Sequence, residues 1–177
     1  MDAVVQLMLK SRGIEGAAAD VEGLEGKLQK YGPILVWNTL KERVSISDIE
    51  SLLSKLEETG AAQGIIIVKS SPSPNLMKRI RKESAKLQLF HEDQLRFDIM
   101  QHRKVPPHRI LPAEEREAFL KKYAIERPET QMPLLDSQDP VGKWIGAKPG
   151  DIVEIMRRSD SAGSTPYYRC CVTDVSL

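Results

Sequence analysis

The sequence predicts an α/β unit over residues 1–90 followed by a small α+β unit over residues 91–177. Two observations predict this organisation. In the first half an amphipathic helix runs directly into an unbroken apolar strand, which is typical of layered α/β domains. The C-terminal stretch alternates between apolar and polar residues and is divided by turn formers, which is typical of antiparallel strands. We place the boundary near Leu89 to His91, within a stretch whose apolar residues recur with a period of two.

The composition is that of a globular protein without a dominant charge. The chain has 177 residues, 41% of them hydrophobic, which is enough to bury a sizeable core. Lys and Arg number 26 against 25 Asp and Glu, so the net charge of +1 gives no global attraction to nucleic acid or an acidic membrane. No apolar run approaches the roughly 20 residues that span a bilayer, and the N-terminus lacks a secretory signal pattern. We therefore expect an intracellular protein that has no membrane partner.

The segment from Ser47 to Gly60 predicts the clearest helix. Ser47 can cap it, Glu50 completes a capping box, and apolar residues recur at helical spacing until Gly60 ends it. The β-branched run that begins at Gly64 predicts a strand buried on both faces.

A stiff loop and a basic helix follow this strand. Two prolines between Ser71 and Asn75 exclude both helix and ladder pairing, and Asn75 can cap the next helix. That helix carries five cations on its outer side, Lys78, Arg79, Arg81, Lys82 and Lys86. Such charge runs are usually a solvated face, but a helix N-terminus beside a stiff loop can also meet a phosphate. Contact with a DNA backbone, independent of base sequence, is therefore a hypothesis for this region.

Shorter patterns predict the remaining elements. Residues 1–10 have helical spacing, Ile34 to Trp37 indicates a strand, and Leu95, Phe97 and Ile99 have the period of two expected of half-buried strands. Pro112 begins a short helix whose acidic residues come first and whose lysines come last. Two strands, starting near Asp151 and Tyr167, form a terminal antiparallel ribbon.

The residues offer no metal site, cofactor site or nucleophile. Three histidines are too few and too loosely spaced to bind zinc, and the phosphate-loop, dinucleotide and esterase motifs are absent. The adjacent Cys170 and Cys171 point to opposite faces of a strand, so they form neither a disulfide framework nor a metal knuckle. A buried strand ending in lysine is the setting of some metal-dependent nucleases. Ile67, two residues before Lys69, has no oxygen ligand for the cation that such an enzyme needs.

Four segments of the second half, which begin at His102, Gln131, Pro149 and Tyr167, carry a set of residues in a characteristic order. The set consists of His102, Val105, Pro106, His108, Leu111, Glu115, Tyr123, Gln131, Pro133, Asp139, Pro140, Val141, Gly146, Gly150, Arg157, Ser159, Ala162, Gly163, Tyr168 and Arg169. In this set the chain resembles the fifth subunit of eukaryotic DNA-directed RNA polymerases and its archaeal counterpart, which consists of the assembly domain alone. Turn geometry alone explains most of the prolines and glycines in this set. Arg157 and Arg169 are better candidates for partner contact, although either could pair with an acidic neighbour.

The N-terminal half is similar to the jaw domain of the eukaryotic subunit over the helix, strand and loop from Val44 to Asn75. The resemblance implies a three-layer α/β jaw domain, restriction-endonuclease-like but inactive, and a two-layer α+β assembly domain. Ser71, Pro72, Ser73 and Pro74 occupy the place of the family's DNA-facing loop, with serine and proline where that motif has threonine and alanine.

The resemblance implies a non-catalytic structural subunit that docks on the largest subunit and the polymerase core and contacts downstream duplex DNA. The DNA-contact candidates are the four loop residues and the first four cations of the basic helix, Lys78, Arg79, Arg81 and Lys82. The partner-binding candidates are His102, Val105, Pro106, His108, Asp139, Pro140, Lys143, Arg157 and Arg169. The chain departs from the family pattern at three positions: Lys143 stands where the family usually has arginine, Glu154 where it commonly has lysine, and Arg158 where it often has proline. These departures indicate that the partner surface has changed locally.

The expected location is the nucleus or, for a virus-encoded copy, the infected-cell nucleus or cytoplasm and the virion. A free-standing scaffold or transcription-regulator module stays open as an alternative. A DNA-cleaving enzyme is disfavoured because Ile67 replaces the metal-binding carboxylate.

Overall fold

The computed structural model describes residues 2–159 and 163–175. The chain forms two compact units, Met1–Asp98 and Ile99–Leu177. Together they contain two sheets with associated helices, so the predicted mixed α/β architecture is confirmed at this level.

The N-terminal unit is built on a five-stranded sheet in the order β1-β2-β3-β4-β5. Its helices and strands are α1 (Asp2–Ser11), β1 (Ala19–Asp20), β2 (Gly26–Tyr31), β3 (Ile34–Thr39), α2 (Ile46–Thr59), β4 (Gln63–Val68), α3 (Pro74–Lys82) and β5 (Leu87–His91). Strands β3, β4 and β5 are parallel, whereas β1 and β2 pair antiparallel at one side. All six residues of β4 are buried, which confirms the predicted strand with two covered faces.

Helices cover both faces of this sheet. Ile49 of α2 and Ile80 of α3 pack in one apolar cluster with Trp37 and Ile66 of the sheet. On the opposite face, Arg12, just after α1, donates to the Gln88 side chain at 2.8 Å. Gln88 lies between Leu87 and Leu89 of β5, and both leucines belong to the apolar cluster. Because adjacent residues of a strand point to opposite faces, Gln88 faces away from that cluster. The unit therefore has three layers, with α1 on one side and α2 and α3 on the other.

The helix caps differ from those predicted. Ser45, not Ser47, caps α2: its hydroxyl accepts from the Asp48 N–H, while the Asp48 carboxylate accepts from the Ser45 N–H. Ser73, not Asn75, caps α3, since Pro74 takes the first helical position and needs no N–H partner there. The predicted end of α2 is confirmed, with Gly60 left-handed at φ 63°.

The junction between the units falls between Asp98 and Ile99, beyond the boundary at 90/91 expected from the sequence. The chain does not continue as strands after β5, as the period of two predicted. Short 3₁₀ turns occupy Glu92–Leu95 and Ile99–Gln101 instead. Leu95 is fully buried, and Phe97 is 55% exposed, so the alternation reflects a buried turn and not a half-covered sheet.

In its described residues, 99–159 and 163–175, the C-terminal unit has a four-stranded sheet in the order β6-β8-β9-β7 and three helices. Its elements are β6 (His108–Ile110), α4 (Ala113–Lys122), α5 (Pro128–Gln131), β7 (Leu134–Asp136), α6 (Pro140–Ile145), β8 (Ile152–Ser159) and β9 (Gly163–Val172). The predicted helix after Pro112 and the antiparallel ribbon are confirmed, and both ribbon strands are longer than predicted. Ala162 and the rest of the connection at 160–162 lie outside the described residues.

The ribbon divides the core of this unit into two clusters. Cys171 packs with Val153 and Ile155 on one face, and Cys170 packs with Ile152 on the other. The two thiols therefore do point to opposite faces. Burial raises the pKa of Cys170, and it raises the pKa of Cys171 to about 12, so both act as small apolar core residues.

The position of the α2 cap can be tested with a pair of alanine variants. Ser45→Ala removes the side-chain acceptor for the Asp48 N–H and should lower the free energy of unfolding by about 1 kcal/mol. Ser47→Ala, inside the first turn, should change it by less than about 0.5 kcal/mol. The measurement is urea unfolding followed by Trp37 fluorescence in a Trp144→Phe background. A larger loss for Ser47→Ala than for Ser45→Ala would contradict the observed cap.

Candidate functional site

The loop predicted to face DNA lies at the carboxyl edge of the parallel strands. β3 ends at Thr39 and β4 at Val68, and the segments after them lead into α2 and α3. The two loops border a cavity of about 340 Å³, lined by Arg43, Val44, Val68, Ser70, Ser71, Pro72, Ser73 and Leu76. The carboxyl edge of parallel strands is the usual ligand position in open α/β sheets.

Hydrogen bonds join the two loops and fix their helix starts. The Ser70 hydroxyl donates to the backbone carbonyl of Glu42. The Ser73 hydroxyl accepts from the Leu76 N–H at 3.3 Å, and its backbone is extended before Pro74. The amino end of α3 therefore borders the cavity through Ser73 and Leu76, and it carries the partial positive charge of a helix N-terminus. The loop that leads into α2 borders the cavity through Arg43 and Val44.

The four cations predicted to contact DNA do not share one environment. Lys78 and Lys82 are exposed, whereas Arg79 is half-buried and donates to Glu83 at 2.8 Å. Arg81 is also half-buried. Two further cations lie nearer the loop. Arg43 lines the cavity, and Lys69, just before Ser70, is exposed. Lys69 could have been identified in the sequence because it directly follows the predicted strand, whereas Arg43 reaches this loop only through the pairing of β3 with β4.

Strand β4, which Lys69 follows and which raised the nuclease hypothesis, has no carboxylate at position 67, where such an enzyme would bind its metal ion. Ile67 is 2% exposed and packs in the sheet. Within residues 2–159 and 163–175, no group of three or more His, Cys, Asp or Glu side chains could hold a metal ion.

The first group of partner-binding candidates forms a compact turn before β6. The Val105 N–H donates to the His102 carbonyl at 2.8 Å, and the His102 ring accepts from the Lys104 N–H. The His108 ring nitrogen Nδ1 donates to the Pro106 carbonyl at 2.6 Å. His102 is exposed, while Val105, Pro106 and His108 are half-buried, so this turn presents a mixed surface.

The second group begins α6. The Asp139 carboxylate accepts from the backbone N–H groups of Val141 and Gly142, both at 2.9 Å, and Pro140 takes the first helical position. Lys143 is only 3% exposed, and burial lowers its pKa to about 8. These contacts give Asp139 and Pro140 a role in starting the helix, and they leave little of Lys143 for another protein to contact.

The arginines of the ribbon converge on one aromatic ring. The Arg157 guanidinium lies 4.1 Å from the Tyr167 ring centroid, and that of Arg169 lies 5.6 Å away. Arg157 is exposed, whereas Arg169 is half-buried and donates to the Leu134 carbonyl at 3.1 Å. Arg157 is therefore available on the surface, and Arg169 ties β9 to β7.

A charged network that the sequence did not reveal joins four elements of this unit, β6, α4, β8 and β9. Arg109 donates to Glu115 at 3.0 Å and to Glu154 at 2.9 Å, and the Tyr168 hydroxyl donates to Glu154 at 3.0 Å. Partial burial and the bond to Glu154 raise the pKa of Tyr168. Glu154 thus has its hydrogen-bond partners within the chain, because the strand register places it opposite Arg109 and Tyr168.

The second half matches the family model described as RNA polymerase Rpb5, C-terminal domain, over residues 97–171. It is also 51% identical over 78 residues to DNA-directed RNA polymerase subunit Rpo5 of Pyrococcus horikoshii, a match that covers 44% of this chain and 93% of that protein. The chain belongs to the Rpb5/Rpo5 family of RNA polymerase subunits. All partner-binding candidates lie within the region matched by the Rpb5 model.

A eukaryotic Rpb5 relative extends the similarity towards the N-terminus. The chain is 30% identical over 132 residues to subunit RPABC1 of DNA-directed RNA polymerases I, II, and III of Caenorhabditis elegans, which covers 73% of this chain and 62% of that protein. Because the C-terminal unit is shorter than this match, the match reaches into the N-terminal unit. In the described residues of the present chain, no helix has the length and apolar content needed to cross a bilayer.

The charged network should make the stability of the C-terminal unit depend on pH. The bond from Arg109 holds the pKa of Glu115 below its ordinary value of 4.5. The ion pair between Arg109 and Glu115 stabilises the folded state fully when the pH lies above 4.5. This stabilisation is lost as the pH falls through the lower pKa that Glu115 has in the folded state. In a Trp37→Phe background, urea unfolding followed by Trp144 fluorescence should therefore show a steeper loss of stability in acid for the chain with Glu115 than for Glu115→Gln. Glu114→Gln, which leaves the pair with Arg109 intact, should retain the steep loss, and equal slopes in all three would contradict the assignment.

Proposed function

We propose that this chain is a non-catalytic structural subunit of a multisubunit DNA-dependent RNA polymerase. The observation that carries the proposal is the match of its C-terminal half to nearly the whole length of Rpo5, a protein named as a polymerase subunit. The C-terminal unit is a compact body with its own two-sided core, as expected of a part that docks as a unit. No cofactor is proposed.

The C-terminal unit docks on the largest subunit of the polymerase core. Of the candidates for this contact, His102 and Arg157 are exposed, and Val105, Pro106 and His108 keep part of their surface. An interface of this kind combines apolar contact with arginine, which is enriched at protein interfaces. Asp139, Pro140, Lys143 and Arg169 support this surface from within by fixing α6 and β7.

The N-terminal unit acts as the jaw domain and contacts downstream duplex DNA at the carboxyl edge of its sheet. Two helix N-termini border this edge, together with hydroxyl groups of Ser71 and Ser73 and the cations Arg43 and Lys69. Such groups bind phosphate oxygens and position a duplex without selecting its base sequence. Lys78 and Lys82 extend the cationic surface along α3.

The chain supplies no catalytic group to the polymerase. The jaw sheet has Ile67 where a metal-dependent nuclease of this layout has a carboxylate, so it can hold DNA without cleaving it. As a relative of a subunit named for polymerases I, II, and III, it is expected to act in the nucleus.

Affinity purification of the tagged chain from its native source tests the structural role. We expect equimolar recovery of the two large polymerase subunits, measured by mass spectrometry, because a structural subunit stays bound through the catalytic cycle. Recovery of the chain without them, under conditions that leave polymerase intact, would favour a free-standing scaffold and contradict the proposal.

Substitution of the cations tests the DNA contact in assembled polymerase. Arg43→Ala and Lys69→Ala should each weaken DNA binding equally for all sequences and reduce the salt dependence of binding by about one counterion. Lys86→Ala is the matched control, since Lys86 is exposed at the opposite edge of the same sheet, just before β5 begins. If both loop variants kept the affinity for DNA and its salt dependence unchanged, the proposed DNA contact would be contradicted. The proposal that the chain is a structural subunit would not be affected by that result.

A further inference from the structure

A large cavity of the C-terminal unit is a cationic groove beside β8. It has a volume of about 790 Å³ and lies where the chain before β6 turns away from the sheet. Val105, Pro106 and Met156 provide apolar surface, and the cations are Arg103, Lys104, Arg157 and Arg158. We call this feature the basic groove.

One side of the groove is an open strand edge. The ladder between β6 and β8 ends at the pair His108 and Ile155, whereas β8 continues to Ser159. The Ile152 carbonyl accepts from the Leu111 N–H, and the Met156 N–H donates to the Pro107 carbonyl at 3.0 Å, so these positions face the β6 side.

Alternate residues of a strand direct their backbone N–H and C=O groups to the same side. Arg158 is two residues beyond Met156, so its backbone N–H and C=O also point to the β6 side. In the described part of the chain no strand lies opposite it there. A strand edge of this kind is a template for pairing with an added extended segment.

The charge of the groove is one-sided. All four cations are exposed, and none of them forms an ion pair within the described residues. Among the described residues that line the groove, none is acidic. Arg157 is held in place by the Tyr167 ring, which fixes one positive charge at the wall. An incoming segment with carboxylates would gain charge-assisted hydrogen bonds here.

We infer that the basic groove binds an acidic, extended peptide segment of the polymerase core, which pairs with the edge of β8 at Arg158. The inference rests on the proposed function and specifies the chemistry of the docking partner. A peptide fits better than nucleic acid because only a peptide backbone continues the β ladder, and because the prolines and Met156 provide apolar contact between the charges.

Charge-reversal variants test the electrostatic part of the inference. In competition with the unchanged chain for incorporation into polymerase, Lys104→Glu with Arg158→Glu should be incorporated roughly tenfold less well, because like charges would then face the segment. Lys121→Glu with Arg127→Glu makes the same change in net charge at exposed positions outside the groove and should be incorporated normally. Lys104→Arg with Arg158→Lys keeps both charges and should also be incorporated normally. Equal incorporation of the groove and control variants would overturn the inference.

A second pair of variants separates backbone pairing from charge. Arg158→Pro removes both the charge and the edge N–H, and proline is tolerated on a strand edge that faces away from the ladder. Arg158→Gln removes the charge alone. We expect Arg158→Pro to be incorporated less well than Arg158→Gln. Equal incorporation of the two would overturn the strand pairing.

Cross-linking identifies the occupant directly. A photo-reactive amino acid at position 104 or 158 of the assembled chain should cross-link to a polymerase segment rich in Asp and Glu, identified by mass spectrometry. Cross-links to nucleic acid, to a segment without acidic residues, or to no neighbour would overturn the inference while leaving the subunit role in place. Absence of the unchanged chain from polymerase would overturn the proposed function and this inference together.

Discussion

The long antiparallel ladder between β8 and β9 is the interaction on which the C-terminal unit depends. It pairs Ile152 with Cys170 at one end and Ser159 with Gly163 at the other. Because strand side chains alternate, this one ladder produces two apolar clusters, one on each face. It also determines what lies at the unit's edges, since β6 and β7 are short and each covers only part of a ribbon strand.

The pairing of β8 with β6 separates charges that stabilise the fold from charges that remain on the surface. Its register places Arg109 opposite Glu154, and the two form an ion pair within the chain. Beyond β6 it leaves Arg157 and Arg158 exposed on the part of β8 that has no neighbour on that side among the described residues. A chain with a net charge of only +1 can thus carry a strongly cationic local surface, because its acidic residues are used elsewhere.

Much of the fold could be predicted from local patterns. The buried strand β4, the end of α2 at Gly60 and the terminal ribbon all follow from residue spacing and turn chemistry. The caps were missed because neighbouring serines offer equivalent hydroxyls, and only the backbone path decides which of them meets an N–H. The turns at 92–101 were missed because a period of two also arises when one residue in a turn is buried.

The sites were less predictable, because they depend on contacts distant in sequence. The basic helix stands out in the sequence, but Arg43 joins the loop at Ser71 only because β3 and β4 are adjacent and parallel. The charge of Lys143 predicts a surface residue, but the Lys143 side chain is buried, and only the three-dimensional structure shows this. The network around Glu154 depends on strand register, which charge pattern alone does not specify.

The most direct measurement of the central claim is amide hydrogen exchange of the full chain, free and within purified polymerase. If the C-terminal unit docks through the turn before β6 and the open edge of β8, the amides at 102–108 and 156–159 should exchange more slowly in the assembled enzyme. Amides of the buried strand β4 should show little change, since they are already protected in the free chain. Unchanged exchange at both docking segments, or new protection confined to the N-terminal unit, would contradict the account.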